Sequence, residues 1–177
     1  MNHQLKNLLT PLIITIIILI LLEIISTVIL PIVGLKYYIL PFNILVILFL
    51  GFKVRTPFLA FLILILQYFH SFFTIEGWES GTIVGIFVCI LIAYLKEFIH
   101  FSSKLATMLV TQIFQTCWFL LSSSLIYLRA SDLEYISIKF WRFLPESILI
   151  SILSPFIFSL LEKIWDTSEK GMLGGES

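Results

Sequence analysis

The 177-residue chain is strongly apolar, with 59% hydrophobic residues, 12% charged residues and a mean hydropathy of +1.07. Soluble globular domains use roughly 45–50% apolar and about 25% charged residues, so this composition excludes that class and indicates an integral membrane protein. The formal net charge is zero and there is no basic run, which argues against a nucleic-acid partner.

Apolar runs predict six transmembrane helices, each bounded by charge, glycine or proline. About 20 apolar residues are long enough to cross the hydrocarbon core. The predicted spans are Leu8–Leu30, Tyr37–Phe52, Pro57–Ile75, Gly81–Leu95, Leu105–Leu128 and Pro145–Ile164. No small-residue cleavage pattern follows the first run, so we expect it to be retained. Residues 1–165 are therefore predicted to form one transmembrane domain, followed by a polar, flexible tail at 166–177.

The distribution of basic residues predicts the orientation of the spans. If the N-terminus is cytoplasmic, seven basic residues lie inside and four lie outside: Lys6, Lys53, Arg55, Lys96, Lys104, Lys163 and Lys170 against Lys36, Arg129, Lys139 and Arg142. Cytoplasmic loops are usually the more basic ones. The count favours cytoplasmic N- and C-termini.

The segment 131–143 is amphipathic. Ser131 and Glu134 have the spacing of a helix capping box, and apolar residues follow at helical intervals: Leu133, Ile136, Phe140 and Phe143. This pattern predicts a short helix on the outer membrane surface before the last span. An alternating strand is the competing interpretation, and the apolar edge would contact either lipid or a partner.

Polar residues within the spans are concentrated in the predicted outer halves. They are Glu23, Ser26, Thr27, Asn43, Gln67, His70, Ser71, Ser122, Ser123, Ser124, Glu146, Ser147 and Ser151. A carboxylate at membrane depth costs about 2.5–3.5 kcal/mol on insertion scales, so we expect Glu23 to face protein or water rather than lipid, or to be protonated. The pattern predicts a shallow polar cavity that opens outward.

Our hypothesis for the residues that line this cavity or contact a partner is Glu23, Gln67, His70, Gln112, Gln115, Ser147 and Ser151. Each residue type also has a structural interpretation. Gln112 and Gln115 are typical of hydrogen bonds between membrane helices. A histidine near a span end, such as His70, is typical of a hydrogen-bonded interfacial residue. Ser147 and Ser151 would let another helix approach closely, either from this chain or from a partner.

No constellation of residues indicates catalysis. The sequence has no zinc-binding His-Glu-x-x-His motif, no glycine-rich phosphate loop and no cysteine cluster. Glu23 and Glu146 would be a pair for acid–base chemistry only at a suitable separation, which the sequence does not fix. Cys89 and Cys117 lie in apolar runs, as buried unreactive thiols do. We therefore expect no catalytic residue, no metal ligand and no cofactor, and predict that the protein is not an enzyme.

From Pro41 onward, the order of features resembles the MreD family of bacterial rod-shape-determining membrane proteins. The stretch "LPFNILVILFLGFK" is similar to the family's proline-led second span and basic turn. The stretch "FLILILQYFHSFFTIEGWESGTIVGIFVCILIAYL", with Gly81, Gly85 and Tyr94, is similar to the next two spans. The stretch "ESILISILSPFIFSLLEKI" is similar to the closing span. The resemblance covers residues 40–163, and no site residue is carried over from the family.

This resemblance implies a fold and a role in the bacterial cytoplasmic membrane. The implied fold is six-span and similar to the substrate-binding subunits of energy-coupling-factor vitamin transporters. The implied role is non-enzymatic: binding MreC, a single-span protein with a large extracytoplasmic domain. The complex links the MreB cytoskeleton to the polymerase RodA and its penicillin-binding protein, and it controls peptidoglycan synthesis and cell shape.

The fold likeness also supplies the alternative function, a vitamin-binding transporter subunit. Such a subunit would use the outward cavity for its vitamin, with aromatic stackers and fixed donors around it. Trp78 and Trp141 are better placed as membrane-interface anchors. The first span, "PLIITIIILILLEII", has no small-residue face on which a coupling protein would dock. Both features favour the assembly role.

Overall fold

The computed structural model describes residues 2–32, 34, 38–53, 58–74, 77–95 and 103–173. Over these residues the fold is all-helical and has no strand, which confirms the predicted class. The elements are α1 (Asn2–Ile24), a π-helical turn (Ile25–Ile29), α2 (Leu30–Ile32), α3 (Phe42–Lys53), α4 (Leu59–His70), α5 (Trp78–Leu95), α6 (Lys104–Ala130) and α7 (Leu133–Leu173).

Four of the described helical stretches are long and apolar enough to cross a membrane: Leu9–Ile32, Trp78–Leu95, Lys104–Arg129 and Leu133–Trp165. These lengths and compositions are compatible with a multi-pass membrane protein. Helices α3 and α4 have 12 residues each. Each is about 18 Å long, against a hydrocarbon core of about 30 Å. Their lengths alone do not establish the second and third predicted spans. The predicted start of the third span at Pro57 lies outside the described residues.

Helix α3 is the centre of the bundle. Every residue from Phe42 to Leu50 is buried, as expected of a helix that is apolar on all sides. Phe49 makes an edge-to-face contact with Phe158 of α7 at 5.7 Å between ring centroids. On the neighbouring α5, a Cβ on Gly85 would lie 2.9 Å from Ile63 Cγ2. Glycine at this position therefore allows α5 to pack closely against α4.

Contacts between distant residues define the two ends of the bundle. At one end, Trp165 Nε1 donates a hydrogen bond to Thr15 Oγ1 at 3.2 Å. This contact joins the early part of α1 to the late part of α7, and we call it the terminal end. At the other end, Arg129 Nη2 lies 3.9 Å from Glu79 Oε2. We call this the cavity end, because the cavity described below lies there.

The segment 131–143 is helical, as predicted, but it is not a separate helix before the last span. Helix α7 runs without a break for 41 residues and includes Pro145 and Pro155. A proline removes its own N–H, and packing by neighbouring helices lets membrane helices continue through such positions. The helix that contains the predicted last span therefore begins at Leu133 and not at Pro145.

The predicted capping box at Ser131 and Glu134 is also wrong. Ser131 has a left-handed backbone (φ 51°) and ends α6, where its N–H bonds to the carbonyl of Tyr127 at 2.8 Å. The cap of α7 is Asp132, whose Oδ1 accepts a hydrogen bond from the N–H of Tyr135 at 3.0 Å. The turn between α6 and α7 therefore needs only two residues.

Helix α7 includes residues 166–173 of the segment predicted to be a flexible tail. Residues 174–177 lie outside the described part of the chain. The flexibility of this tail stays a prediction.

Candidate functional site

The predicted site residues lie in separate places, and the first pair is Glu23 with His70. Nδ1 of His70 lies 2.8 Å from Oε1 of Glu23, with exposed fractions of 13% for the His70 side chain and 0% for that of Glu23. The other carboxyl oxygen, Oε2, is buried and has no hydrogen-bond partner in the part of the chain that the structure describes. The expectation that Glu23 faces protein or water rather than lipid is confirmed.

The π-helical turn directly follows Glu23 and ties α1 to the start of α3. Ser26 lies in this turn, and its Oγ accepts a hydrogen bond from the N–H of Leu40 at 2.7 Å. Thr27 Oγ1 donates to the carbonyl of Glu23 at 2.7 Å. Single π-helical turns within α-helices are often found at functional sites. Here the turn follows the buried Glu23 directly and is tied to Leu40, just before α3.

Gln67 is buried between α4 and the first turn of α5. It is 1% exposed, and its Nε2 finds no hydrogen-bond partner within the described ranges. A Cβ on Gly81 would overlap its amide oxygen. Glycine at 81 thus makes room for the Gln67 amide, and this residue acts in packing between helices.

Gln112, Gln115, Ser147 and Ser151 form a hydrogen-bonded group between α6 and α7. Gln112 Nε2 donates to Ser147 Oγ at 3.0 Å, and Gln112 Oε1 accepts from Ser151 Oγ at 2.8 Å. Gln115 Nε2 donates to Ser151 Oγ at 3.4 Å. This is the hydrogen bonding between helices that the sequence pattern indicated. Because Ser147 and Ser151 are 0% and 6% exposed, the helix they admit belongs to this chain and not to a partner.

A cavity of about 480 Å³ lies at the cavity end of the bundle. Its walls come from residues 39–44, the end of α4, the middle of α6 and the first part of α7. The lining residues are Ile39, Pro41, Asn43, Ile44, His70, Phe73, Thr74, Trp118, Phe119, Ser122, Tyr135, Ile138, Lys139, Arg142, Phe143 and Glu146. Of the predicted site residues, only His70 is among them.

Charged side chains of α7 line one wall of this cavity. Lys139, Arg142 and Glu146 are spaced by three and four residues and so share a helix face. Glu146 Oε1 accepts a hydrogen bond from the N–H of Ile39 at 3.0 Å, which fixes the segment before α3 against α7. The two cations lie near enough to act electrostatically on the Glu146 carboxylate.

The rest of the wall is aromatic, with one buried amide. The rings of Phe119 and Phe143 stack at 4.6 Å between centroids and 22° between planes, which joins α6 to α7. Trp118 lies beside them and is buried. Asn43 is 4% exposed, and its Oδ1 has no hydrogen-bond partner among the residues that the structure describes. The cavity thus combines aromatic faces, a buried amide oxygen and charged groups.

Sequence reasoning missed most of this lining. It placed Asn43, Ser122 and Glu146 among the outer polar residues but did not select them. Lys139 and Arg142 entered only the count of outer cations. The spacing of Lys139, Arg142 and Glu146 places them on one helix face, and this was the feature of the sequence that could have identified them. The segment was interpreted instead from the pattern of its apolar residues.

Comparisons with protein-family models, curated proteins and solved structures found no match to this chain.

Proposed function

We propose that this chain is a non-enzymatic, MreD-like component of the bacterial cell-elongation complex in the cytoplasmic membrane. Its direct partner in this proposal is an MreC-like single-span protein, within an assembly that includes RodA, a penicillin-binding protein and MreB. The sequence resemblance over residues 40–163 and the all-helical membrane fold support this role.

The proposal includes six crossings with both termini cytoplasmic. Helices α3 and α4 form a consecutive pair, so they return the chain to the same side whether they cross fully or enter and leave. Either case gives an even number of crossings. The hydrogen bond between Thr15 and Trp165, which joins the early part of α1 to the late part of α7, supports this arrangement.

The observation that carries the docking proposal is the first part of α7, residues 133–144. The apolar stretch Leu133–Trp165 has 33 residues and is about 50 Å long, so about 13 residues exceed the roughly 20 that a membrane requires. Polar residues are concentrated in 132–146, so we place the excess there. Leu133, Trp141 and Leu144 lie on a common face and are 66%, 70% and 37% exposed. An apolar stripe at the membrane surface is typical of a protein interface.

Co-purification from native membranes tests this function. The full chain, tagged and extracted in mild detergent, is expected to recover a single-span protein with a large extracytoplasmic domain. Replacing Leu133 and Trp141 together by serine is expected to reduce that recovery about tenfold or more, because buried aromatic anchors dominate most interfaces.

Tyr94→Ser is the matched control, since Tyr94 is 77% exposed and lies in the last turn of α5, at the terminal end. It should leave recovery unchanged. Equal recovery by the Leu133/Trp141 variant and the unaltered chain would contradict the docking surface. Recovery of two ATPases in place of the single-span protein would contradict the function itself.

A second candidate function is a substrate-binding subunit of a vitamin transporter. The cavity of about 480 Å³ with aromatic walls and charged groups favours it, because these are the features of small-molecule sites. In this case the purified chain would retain a bound vitamin, detectable by mass spectrometry after denaturation, and would recover the two ATPases.

A further inference from the structure

The cavity at the cavity end has the size and composition of a small-molecule site. Its volume of about 480 Å³ falls within the range of roughly 300–1,000 Å³ usual for such sites. The apolar stripe of the docking proposal uses Leu133, Trp141 and Leu144, which do not line this cavity. The cavity is therefore a separate feature of the same end of the molecule.

The inner wall favours a flat, apolar ligand body. Trp118, Phe119 and Phe143 are 7%, 7% and 9% exposed. The stacking of Phe119 on Phe143 at 4.6 Å holds these rings in fixed positions. Aromatic faces held in this way bind planar rings by offset stacking or edge-to-face contact.

The same wall contains an acceptor that lacks a donor. Asn43 Oδ1 is buried and has no hydrogen-bond partner among the described residues. A buried carbonyl oxygen without a donor is unfavourable, and a ligand N–H or O–H that reached it would remove that cost. Asn43 therefore selects for a donor on the ligand.

The charged wall favours an anion. Lys139 and Arg142 bring two positive charges, and Glu146, whose carboxyl group already accepts the N–H of Ile39, brings at most one negative charge. The other titratable groups of the lining are Tyr135 of α7 and His70 of α4, whose Nδ1 is held by Glu23. Among the described lining residues, positive charges therefore outnumber negative ones. Arg142 is exposed and Lys139 half-buried, so a ligand anion can reach them from the mouth of the cavity.

We propose that the cavity binds a small aromatic carboxylate that carries an N–H or O–H donor. The ring packs against Trp118 and Phe119, the donor bonds to Asn43 Oδ1, and the carboxylate lies at Lys139 and Arg142. Such a ligand would contact α3, α6 and α7 at once and so stabilise their packing. The inference deepens the second candidate function by naming its ligand class, and it does not require the partner-docking proposal.

Indole-3-propionate is a suitable probe, because it combines an indole N–H, a flat ring and a carboxylate. The full chain in phosphatidylcholine nanodiscs is titrated with this compound, with indole-3-propionamide, which lacks the charge, and with 1-methylindole-3-propionate, which lacks the donor. We expect the unaltered chain to bind indole-3-propionate about tenfold or more tightly than either relative, as loss of a buried or charge-assisted hydrogen bond implies.

Two variants assign these preferences to residues. Asn43→Leu should bind the indole and 1-methylindole acids about equally while keeping its preference for the acid over the amide. Lys139→Gln combined with Arg142→Gln should bind acid and amide about equally while keeping its preference for the indole N–H. Lys104→Gln, at the terminal-end start of α6, is the matched control and should bind like the unaltered chain.

Equal affinity of the unaltered chain for all three compounds would overturn the proposal. An equal loss of affinity for indole-3-propionate in the Lys104→Gln control and in the Lys139/Arg142 variant would also overturn it. The comparison of compounds uses the unaltered chain, so it remains decisive if a variant fails to fold. Since the readout is direct ligand binding, failure here is distinguishable from failure of co-purification.

Discussion

Two groups of polar side chains lie inside the bundle, and they differ in the number of contacts that hold them. In the neutral α6–α7 group, both amide atoms of Gln112 have serine partners, while Gln115 Oε1 has no hydrogen-bond partner among the described residues. The Glu23–His70 pair depends on a single contact, and Glu23 Oε2 also has no partner among the described residues. The neutral group spreads three hydrogen bonds over four side chains. The Glu23–His70 pair concentrates its stabilisation in one contact, beside the cavity.

The largest effect is expected from His70→Leu. This change removes the hydrogen-bond partner of the buried Glu23 carboxyl group, and leaving a buried polar group unsatisfied costs about 1–3 kcal/mol, and more where the group is charged. Reversible unfolding in mixed detergent and denaturing micelles measures the free energy of unfolding. Glu23→Leu combined with His70→Leu is the control and should lose less than His70→Leu alone, because it removes both polar groups. A double variant less stable than His70→Leu alone would show that burial of an unpaired carboxyl group does not cause the loss of stability.

A smaller effect is expected from Gln112→Leu. This change removes the bonds to Ser147 and Ser151, and hydrogen bonds between membrane helices average about 0.6 kcal/mol each, so the loss should be about 1 kcal/mol. The same unfolding assay applies. Thr116→Val is the control, because Thr116 is exposed and bonds only to the backbone of its own helix. If Gln112→Leu lowers the free energy of unfolding as much as His70→Leu does, the expected difference between the two groups is contradicted.

Combining the two changes tests whether the groups are independent. They share no hydrogen bond among the described residues, so the losses of His70→Leu and Gln112→Leu should add to within about 0.5 kcal/mol. Within the neutral group, Gln112→Leu and Ser151→Ala should be non-additive by about 0.6 kcal/mol, because they remove the same bond. A large coupling between His70 and Gln112 would show that the two groups act as one network.

The smallest effect is expected from Glu79→Gln. Glu79 and Arg129 form the exposed counterpart of the buried pair, with a separation of 3.9 Å and side chains 64% and 65% exposed. Exposed pairs contribute little because water and salt screen them. We expect no measurable change in unfolding free energy at physiological salt. A loss comparable to that of His70→Leu would mean that this contact, rather than the buried pair, holds the cavity end together.

Helix class and membrane character were predictable from local features. The long apolar runs identified the four stretches of spanning length, including the region of α1 and both long helices at the C-terminal end. The burial of Glu23 was predictable too, because a carboxylate is too costly to expose to lipid. The boundaries of α7 were not predictable. Pro145 and the amphipathic pattern both indicated two separate helices, whereas packing against neighbouring helices lets one helix continue through the proline.

The partners of the polar residues were not predictable from local pattern. His70 pairs with Glu23 across 47 positions, and Gln112 pairs with Ser147 across 35. Several acceptors were available to each donor in the sequence. Ser147 and Ser151 could have packed against a helix of this chain or a helix of a partner. Their burial against α6 decided for this chain.

The sequence by itself determined that this chain forms apolar helices, four of them long enough to cross a membrane, and that polar groups within such helices need partners in the bundle, because hydrocarbon offers none. The tertiary structure alone decided which groups pair with each other and which remain around a cavity. The reason is that pairing depends on the directions in which side chains leave packed helices, and those directions follow from helix packing. Asn43, Lys139 and Arg142 are near one another only because α3 and α7 meet at the cavity end.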